Sequence, residues 1–260
     1  MTPPVRLITI PFSHYCEKAR WALERAGIAF FEDAYLPVMH MLPTRRAGGK
    51  TVPVVVAEGR VYADSAEIVA YADGRATSER KLYPTDAGAR REVDAIEAEA
   101  NAKFGRATRL FAYHHGLPRA SVLADMVRPG LTRVQAFIMP ALVPLAGLLI
   151  RRRYHIDEAS AARAQETVRR VFDEFSERLE GKRDKRYFLG DRFTAADLTF
   201  AALAAPVVLP EGHPAMRSRL DGLAPEHRAL VEELRATPAG AHVTRMYREE
   251  RRAAPAITNA

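Results

Sequence analysis

Val5, Leu7, Ile8 and Ile10 form a short apolar run rich in β-branched residues, which predicts a buried strand. Pro11 ends it. Cys16, Ala19, Leu23 and Ala26 then recur at helical spacing, with Ser13 at the N-cap position and Gly27 at the stop. The segment reads as strand, loop and helix, with a hydroxyl at the helix mouth. Backbone N–H groups at a helix N-terminus favour negative charge, and a hydroxyl there can donate to a bound anion.

The pattern continues with a second strand at Ile28–Phe31, ending at Glu32-Asp33. Tyr35–Lys50 is irregular, with Pro37, Pro43 and Gly48-Gly49, and holds a short helix around Val38–Arg46. Thr51–Val56 is a third strand, an edge strand entered through Pro53. Glu58-Gly59 makes a hairpin turn into a fourth strand that starts at Val61 and Tyr62. Asp64-Ser65 caps a helix with Ile68, Val69 and Ala72 on its apolar side, ending near Gly74. A βαβ unit followed by a hairpin gives a four-stranded mixed sheet with helices on both faces. The polar stretch 75–86, with Pro84, reads as a linker.

From Gly88 onward no stretch alternates with period two. Arg90–His115 is one long helical pattern ending at Gly116-Leu117-Pro118, and Ala120–Val127 is a short helix. Val134–Ile150 is the most apolar stretch. It is slightly short for a spanning helix and carries Pro140 and Pro144, so it reads as buried helices broken at the prolines. Its basic flank, Arg151–Arg153, leaves membrane-surface contact as the alternative. Ala159–Leu179 places Ala164, Val168, Val171, Phe172, Phe175 and Leu179 on one face. Thr194 and Asp197 form a capping-box variant, with Phe193 and Leu198 at the positions of a hydrophobic staple. Two further helices fill Pro225–Arg252. The expected division is an α/β domain at 1–80 and an all-helical domain at 88–260.

With 260 residues the chain can bury one or two cores. Its net charge is +7. No aromatic-interleaved basic patch, zinc-ligand spacing or helix-turn-helix signature accompanies that charge, so no nucleic-acid partner is expected. The surplus reads as an arginine-rich solvated surface, and a mildly positive site also suits an anionic small substrate. One cysteine excludes an internal disulfide and a cysteine-based metal cluster. It fits a reducing compartment, and no apolar signal-peptide core precedes the first strand, so a cytoplasmic location is expected. No metal is expected.

Ser13-His14-Tyr15-Cys16 resembles the Cys-Pro-Tyr-Cys site of glutaredoxins with the first cysteine replaced by serine. The run Ser13–Leu23 resembles the serine-type glutathione transferases. The resemblance implies a thioredoxin-like N-terminal domain, an all-α C-terminal domain and a homodimer. It also implies glutathione as co-substrate, with no metal, and transfer of its thiol to an electrophilic small molecule. Ser13 would then donate to the thiol and favour the thiolate, rather than act as a plain N-cap. A free thiol is about three per cent ionised at pH 7, so full ionisation gains at most about thirty-fold, and the rest must come from positioning.

The same resemblance makes Val52-Pro53 similar to the family's cis-proline, whose preceding backbone pairs with the cysteinyl part of glutathione; the plain alternative is a trans proline opening a strand. It assigns Asp64 and Ser65 to the γ-glutamyl end, against a plain N-cap. Lys50 is a candidate for the glycyl carboxylate, against a solvated loop lysine, and His40 is a neighbouring candidate. His14, Tyr15, Arg106, Leu110, Tyr113 and His114 are candidates for the electrophile pocket, against ordinary packing. Cys16 reads as a buried structural thiol. Thr194–Leu198 resembles the motif that opens a core helix of the family's second domain. His14 departs from the Pro or small residue usual after the active serine, and Arg151–Glu158 matches no class closely. The alternative function is a non-catalytic protein of this fold that binds a hydrophobic ligand, a partner or a membrane surface.

Overall fold

The computed structural model describes residues 5–117, 137, 147–180, 186–215 and 223–251. The chain opens with β1 (Val5–Thr9), α1 (His14–Arg25), β2 (Phe30–Ala34), α2 (Met41–Arg46), β3 (Val54–Ala57), β4 (Arg60–Tyr62) and α3 (Ser65–Arg75). The sheet order is β2-β1-β3-β4. β1 and β2 are parallel, and the other two pairs are antiparallel. This is the expected mixed sheet, with two differences. β2 begins at Phe30 rather than Ile28 because Ile28 is part of the α1 stop. Gly27 has φ +73°, its N–H bonds to Glu24 C=O, and the Ile28 N–H reaches Leu23 C=O at 3.0 Å, a Schellman closure. β3 is not an edge strand. Glu58 and Gly59 both have positive φ, as a two-residue type I′ turn needs, and the turn lays β4 along the outer side of β3.

The helical part comprises α4 (Ala87–Glu99), a π-helical turn at Ala100–Phe104, α5 (Gly105–Gly116), a helical stretch at 147–154, α6 (Glu158–Glu180), α7 (Ala195–Val208), α8 (Pro225–Ala236) and α9 (Pro238–Glu249). The single helix expected over 90–115 is thus interrupted by the π turn. The expected helix at 120–127 and most of the apolar run 134–150 lie outside the described residues. α7 is buried along its whole length, and Phe200 stacks on Phe175 at 4.2 Å and on Phe104 at 5.3 Å. Trp21 on α1 packs between Phe193 (5.7 Å) and Tyr247 (5.0 Å), so one apolar core joins the sheet side to the helical side.

Buried charges reinforce that junction. Arg251 donates to Glu17 Oε1 at 2.6 Å and to Glu24, and Arg20 bridges Glu17 (2.6 Å) and Glu32 (2.9 Å). Burial alone would push the Glu17 carboxyl up, but Arg251, His213 and Arg20 outweigh it and hold the group at about 2. These contacts tie the end of α9 to α1, the helix whose mouth carries Ser13.

Candidate functional site

The β1 register places Ile8 opposite Val54, so the C-terminal end of β1 and the N-terminal end of β3 lie side by side. β4 runs back along β3 with Tyr62 opposite Val55. The segments that follow β1, precede β3 and follow β4 therefore share one end of the sheet. They carry Ser13, Val52-Pro53 and Asp64-Ser65 respectively.

Ser13 stands at the N-cap of α1. Its N–H bonds to Ile10 C=O at 3.0 Å and its C=O accepts from the Glu17 N–H at 2.8 Å. Its half-buried side chain makes no capping bond to the backbone, and its hydroxyl faces the Cys16 thiol. Cys16 lies one turn further in and is fully buried. Burial pushes its thiol up to about 11, with the Ser13 hydroxyl and Ile10 backbone partly opposing. Such a thiol is protonated and inert at neutral pH.

The Val52-Pro53 peptide bond is cis. Pro53 is buried, Val52 is half-buried, and the Val52 backbone has no backbone partner among the described residues. Asp64 caps α3 by accepting from the Ala66 N–H at 2.7 Å. Ser65 follows, 4% exposed, and its hydroxyl bonds to no group among the described residues. Lys50 is exposed and has no ion pair among the described residues. His40 is half-buried, burial lowers its pKa, and its Nδ1 has no partner among the described residues.

His14 and Tyr15 turn toward the helical side. The π turn and the start of α5 offer them carbonyls: His14 Nε2–H donates to Gly105 C=O at 2.8 Å and Tyr15 OH to Asn101 C=O at 3.3 Å. A Cβ at Gly105 would come within 2.3 Å of the Tyr15 oxygen, so glycine lets the Tyr15 ring tip sit against α5. Burial, with the Arg109 charge adding to it, lowers the His14 pKa to about 3. His14 is thus a neutral donor in the seam, not a group open to a ligand. The unfolded chain protonates this imidazole near 6.5, and the folded protein resists until about 3, so stability falls as pH falls between those values. The slope is about 1.4 kcal/mol per pH unit for one proton. Urea unfolding at pH 6 and 5 should show His14→Gln losing about one proton's worth of the wild-type slope. An unchanged slope would refute the assignment.

Arg106 is exposed, while Leu110, Tyr113 and His114 are half-buried. Tyr113 meets Phe12, the residue before Ser13, at 6.5 Å between rings, and Tyr154 at 6.0 Å. Arg109, Tyr154 and Phe12 join this wall although sequence reasoning missed them. Arg109 lies three residues from Arg106 and four from Tyr113, a spacing that could have revealed it. Tyr154 arrives from another helix with no local signal. Among the described residues no group of three His, Cys, Asp or Glu side chains is placed to hold a metal.

The model of the glutathione S-transferase N-terminal domain matches residues 7–80, and that of the C-terminal domain matches residues 134–233. The chain belongs to the glutathione transferase superfamily. Solved structures share its fold. Glutathione transferase F2 from Populus trichocarpa is 17% identical with a TM-score of 0.53, covering 94% of this chain and 99% of its own. The β-etherase LigF from Sphingobium sp. strain SYK-6 is 16% identical with a TM-score of 0.58, covering 94% and 99%. A glutathione S-transferase-I bound with lactoylglutathione is 17% identical with a TM-score of 0.53, covering 94% and 100%. No curated protein matches significantly.

Proposed function

We propose that the protein binds glutathione along Val52-Pro53 and Asp64-Ser65, with the thiol beside Ser13, and transfers it to an electrophilic small molecule. The observation that carries this reading is a convergence at one sheet end: a serine hydroxyl that does not cap its own helix, a Val52 backbone with no backbone partner and a Ser65 hydroxyl with no partner, both among the described residues. The Val52 N–H and C=O would pair with the cysteinyl unit as a short added strand. Ser65 and the α3 amides would take the γ-glutamyl carboxylate. One Asp64 oxygen caps α3, and the other would face the ammonium. Lys50 would reach the glycyl carboxylate. In the transfer a sulfur–carbon bond forms, the leaving group departs with its bonding pair, and the thiol proton goes to solvent.

Ser65→Ala tests the binding half. Losing a hydrogen bond to a charged group costs about 1.5–3 kcal/mol, so glutathione should bind about ten- to over a hundred-fold more weakly by calorimetry, with unfolding unchanged. An equal dissociation constant would reduce Asp64-Ser65 to a helix cap.

Homodimerisation belongs to the proposal. Met41, Leu42 and Val61, all exposed on α2 and the sheet-edge strand β4, support it, and sedimentation tests it. A cytoplasmic location fits thiol chemistry and a buried, unoxidised cysteine. The non-catalytic alternative has one observation in its favour. Phe137, Leu148 and Leu149 are exposed beside Arg151–Arg153, as a membrane-surface contact needs. No helix among the described residues is long and apolar enough to cross a membrane. Retention on anionic liposomes without glutathione turnover would favour that reading.

A further inference from the structure

We propose that the preferred electrophile carries an anionic group, a carboxylate or sulfonate on an aromatic ring, which is held by Arg109 with Arg106 and Arg153 on the wall beside Ser13. The proposal rests on the glutathione-transfer reading and names the substrate class of that site.

The first observation is where the charge lies. Between Glu99 and Asp157 the chain carries nine lysines and arginines and one acid, Asp125. That stretch has a net charge of +8, while the whole chain has +7. The rest of the protein is therefore nearly balanced, and the surplus is not a general surface property. It lies in the stretch 100–156, whose described residues include Arg106 and Arg109 on α5 and Arg153 beside Tyr154.

The second observation is that these charges are uncompensated. None of Arg106, Arg109 and Arg153 meets a carboxylate among the described residues. Arginines on neighbouring helices do: Arg90 pairs with Asp94 at 2.8 Å, Arg170 with Glu174 at 2.9 Å and Arg178 with Glu99 at 2.6 Å. Like charges left together without acids create a field that draws in an anion.

The third observation is aromatic. The Arg109 guanidinium lies over the Tyr154 ring at 4.5 Å from its centre, with Arg153 at 5.6 Å from the same ring. A guanidinium stacked by its face keeps its N–H edge for bidentate recognition of a carboxylate. Tyr113 links this group to Phe12, next to Ser13, and the Arg109 charge is felt at both His14 and Tyr15. A flat ring beside Tyr113 and Tyr154 would stack on aromatic neighbours while its anionic substituent met Arg109. His14, Tyr15 and Tyr113 carry no negative charge, and Asp64, the carboxylate felt at Tyr15, is the one that would face the glutathione ammonium.

The test compares 4-chloro-3,5-dinitrobenzoate with its methyl ester, which differs in charge at the same ring. In both, glutathione sulfur bonds to the chlorinated carbon, chloride leaves with the bonding pair, and the thiol proton passes to the buffer. With each rate divided by its uncatalysed value, the anion should show at least about ten-fold higher kcat/KM at low salt. The advantage should shrink toward unity near about 0.5 M salt. Arg109→Gln should lower the ratio of the two substrates at least about five-fold, mainly through the benzoate KM, and Arg109→Lys should restore part of it. Equal or better turnover of the ester would overturn the proposal. So would an Arg109→Gln variant that slows both substrates alike or changes only the glutathione KM. If neither compound is turned over, binding of unreactive 3,5-dinitrobenzoate and its methyl ester is measured by calorimetry with S-methylglutathione present. A benzoate preference that Arg109→Gln abolishes would sustain the anion site and remove the transfer reading. Equal binding, or none, would overturn the anion site.

Discussion

Asp197→Ala is expected to cost about 3–5 kcal/mol of folding stability, a large share of the roughly 5–15 kcal/mol of an ordinary domain. Asp197 is fully buried at the first turn of α7. One carboxylate oxygen accepts from the Thr194 N–H at 3.0 Å and the Thr194 hydroxyl at 2.9 Å. The other accepts from the Phe188 N–H at 3.0 Å and lies 3.2 Å from His242 Nε2. Alanine removes the acceptor from all of them at once, and burial keeps water from replacing it. The Ala195 N–H meanwhile bonds to Leu82 C=O at 2.9 Å, so a frayed α7 also loosens the link to the sheet side. Asp197→Asn keeps the shape and one acceptor oxygen and should lose about half as much. Urea unfolding of both variants is the measurement. A loss under about 1 kcal/mol for alanine would mean that the desolvation cost of the carboxylate cancels its hydrogen bonds.

What could be read from the sequence was local. The Thr194–Asp197 box, the Asp64 cap, the Glu58-Gly59 turn and the strand patterns depend on residues a few positions apart, and the structure has them. The Ile28 shift was hidden because the glycine stop consumes one residue beyond itself. The π turn was invisible because Ala100-Asn101-Ala102 has ordinary helical composition; what marks it is donors from His14 and Tyr15, far away in sequence. The Asp197 capping role was legible, but its contact with His242 was not. The Arg251–Glu17–Glu24 cluster joins the two ends of the described chain, and no spacing rule points to it. At the candidate site, the positions of Ser13, Val52-Pro53 and Asp64-Ser65 at element ends were legible because each opens or closes an element. Tyr154 was not, because it reaches the wall from another helix, and Arg109 shows its role only through that contact although its spacing to Arg106 and Tyr113 was there to read.

Ser13→Ala is expected to keep most glutathione affinity and to lose most conjugation, since the proposed role of Ser13 is confined to the sulfur. Two features of the site support this. The Ser13 hydroxyl makes no capping bond, and it stands at a helix N-terminus that favours negative charge. The rival hydroxyl, Tyr15, is committed to the Asn101 carbonyl, and burial raises its pKa, so it is poorly placed to take over. Without Ser13 the bound thiol should titrate nearer its free value, seen as a rise in the pKa of the thiolate absorbance of the complex. Ser13→Cys should behave differently. A cysteine there would gain a lowered pKa from the helix mouth and attack the glutathionyl sulfur of a glutathione mixed disulfide, releasing the other thiol; a second glutathione then resolves the protein–glutathione disulfide and leaves as oxidised glutathione. Conjugation should fall while reduction of a glutathione mixed disulfide appears. The paired measurement is conjugation of a generic aromatic electrophile and reduction of a glutathione mixed disulfide, for wild type and both variants. If the wild type conjugates and Ser13→Ala conjugates equally well, Ser13 is not the activator, and a bound water becomes the better candidate.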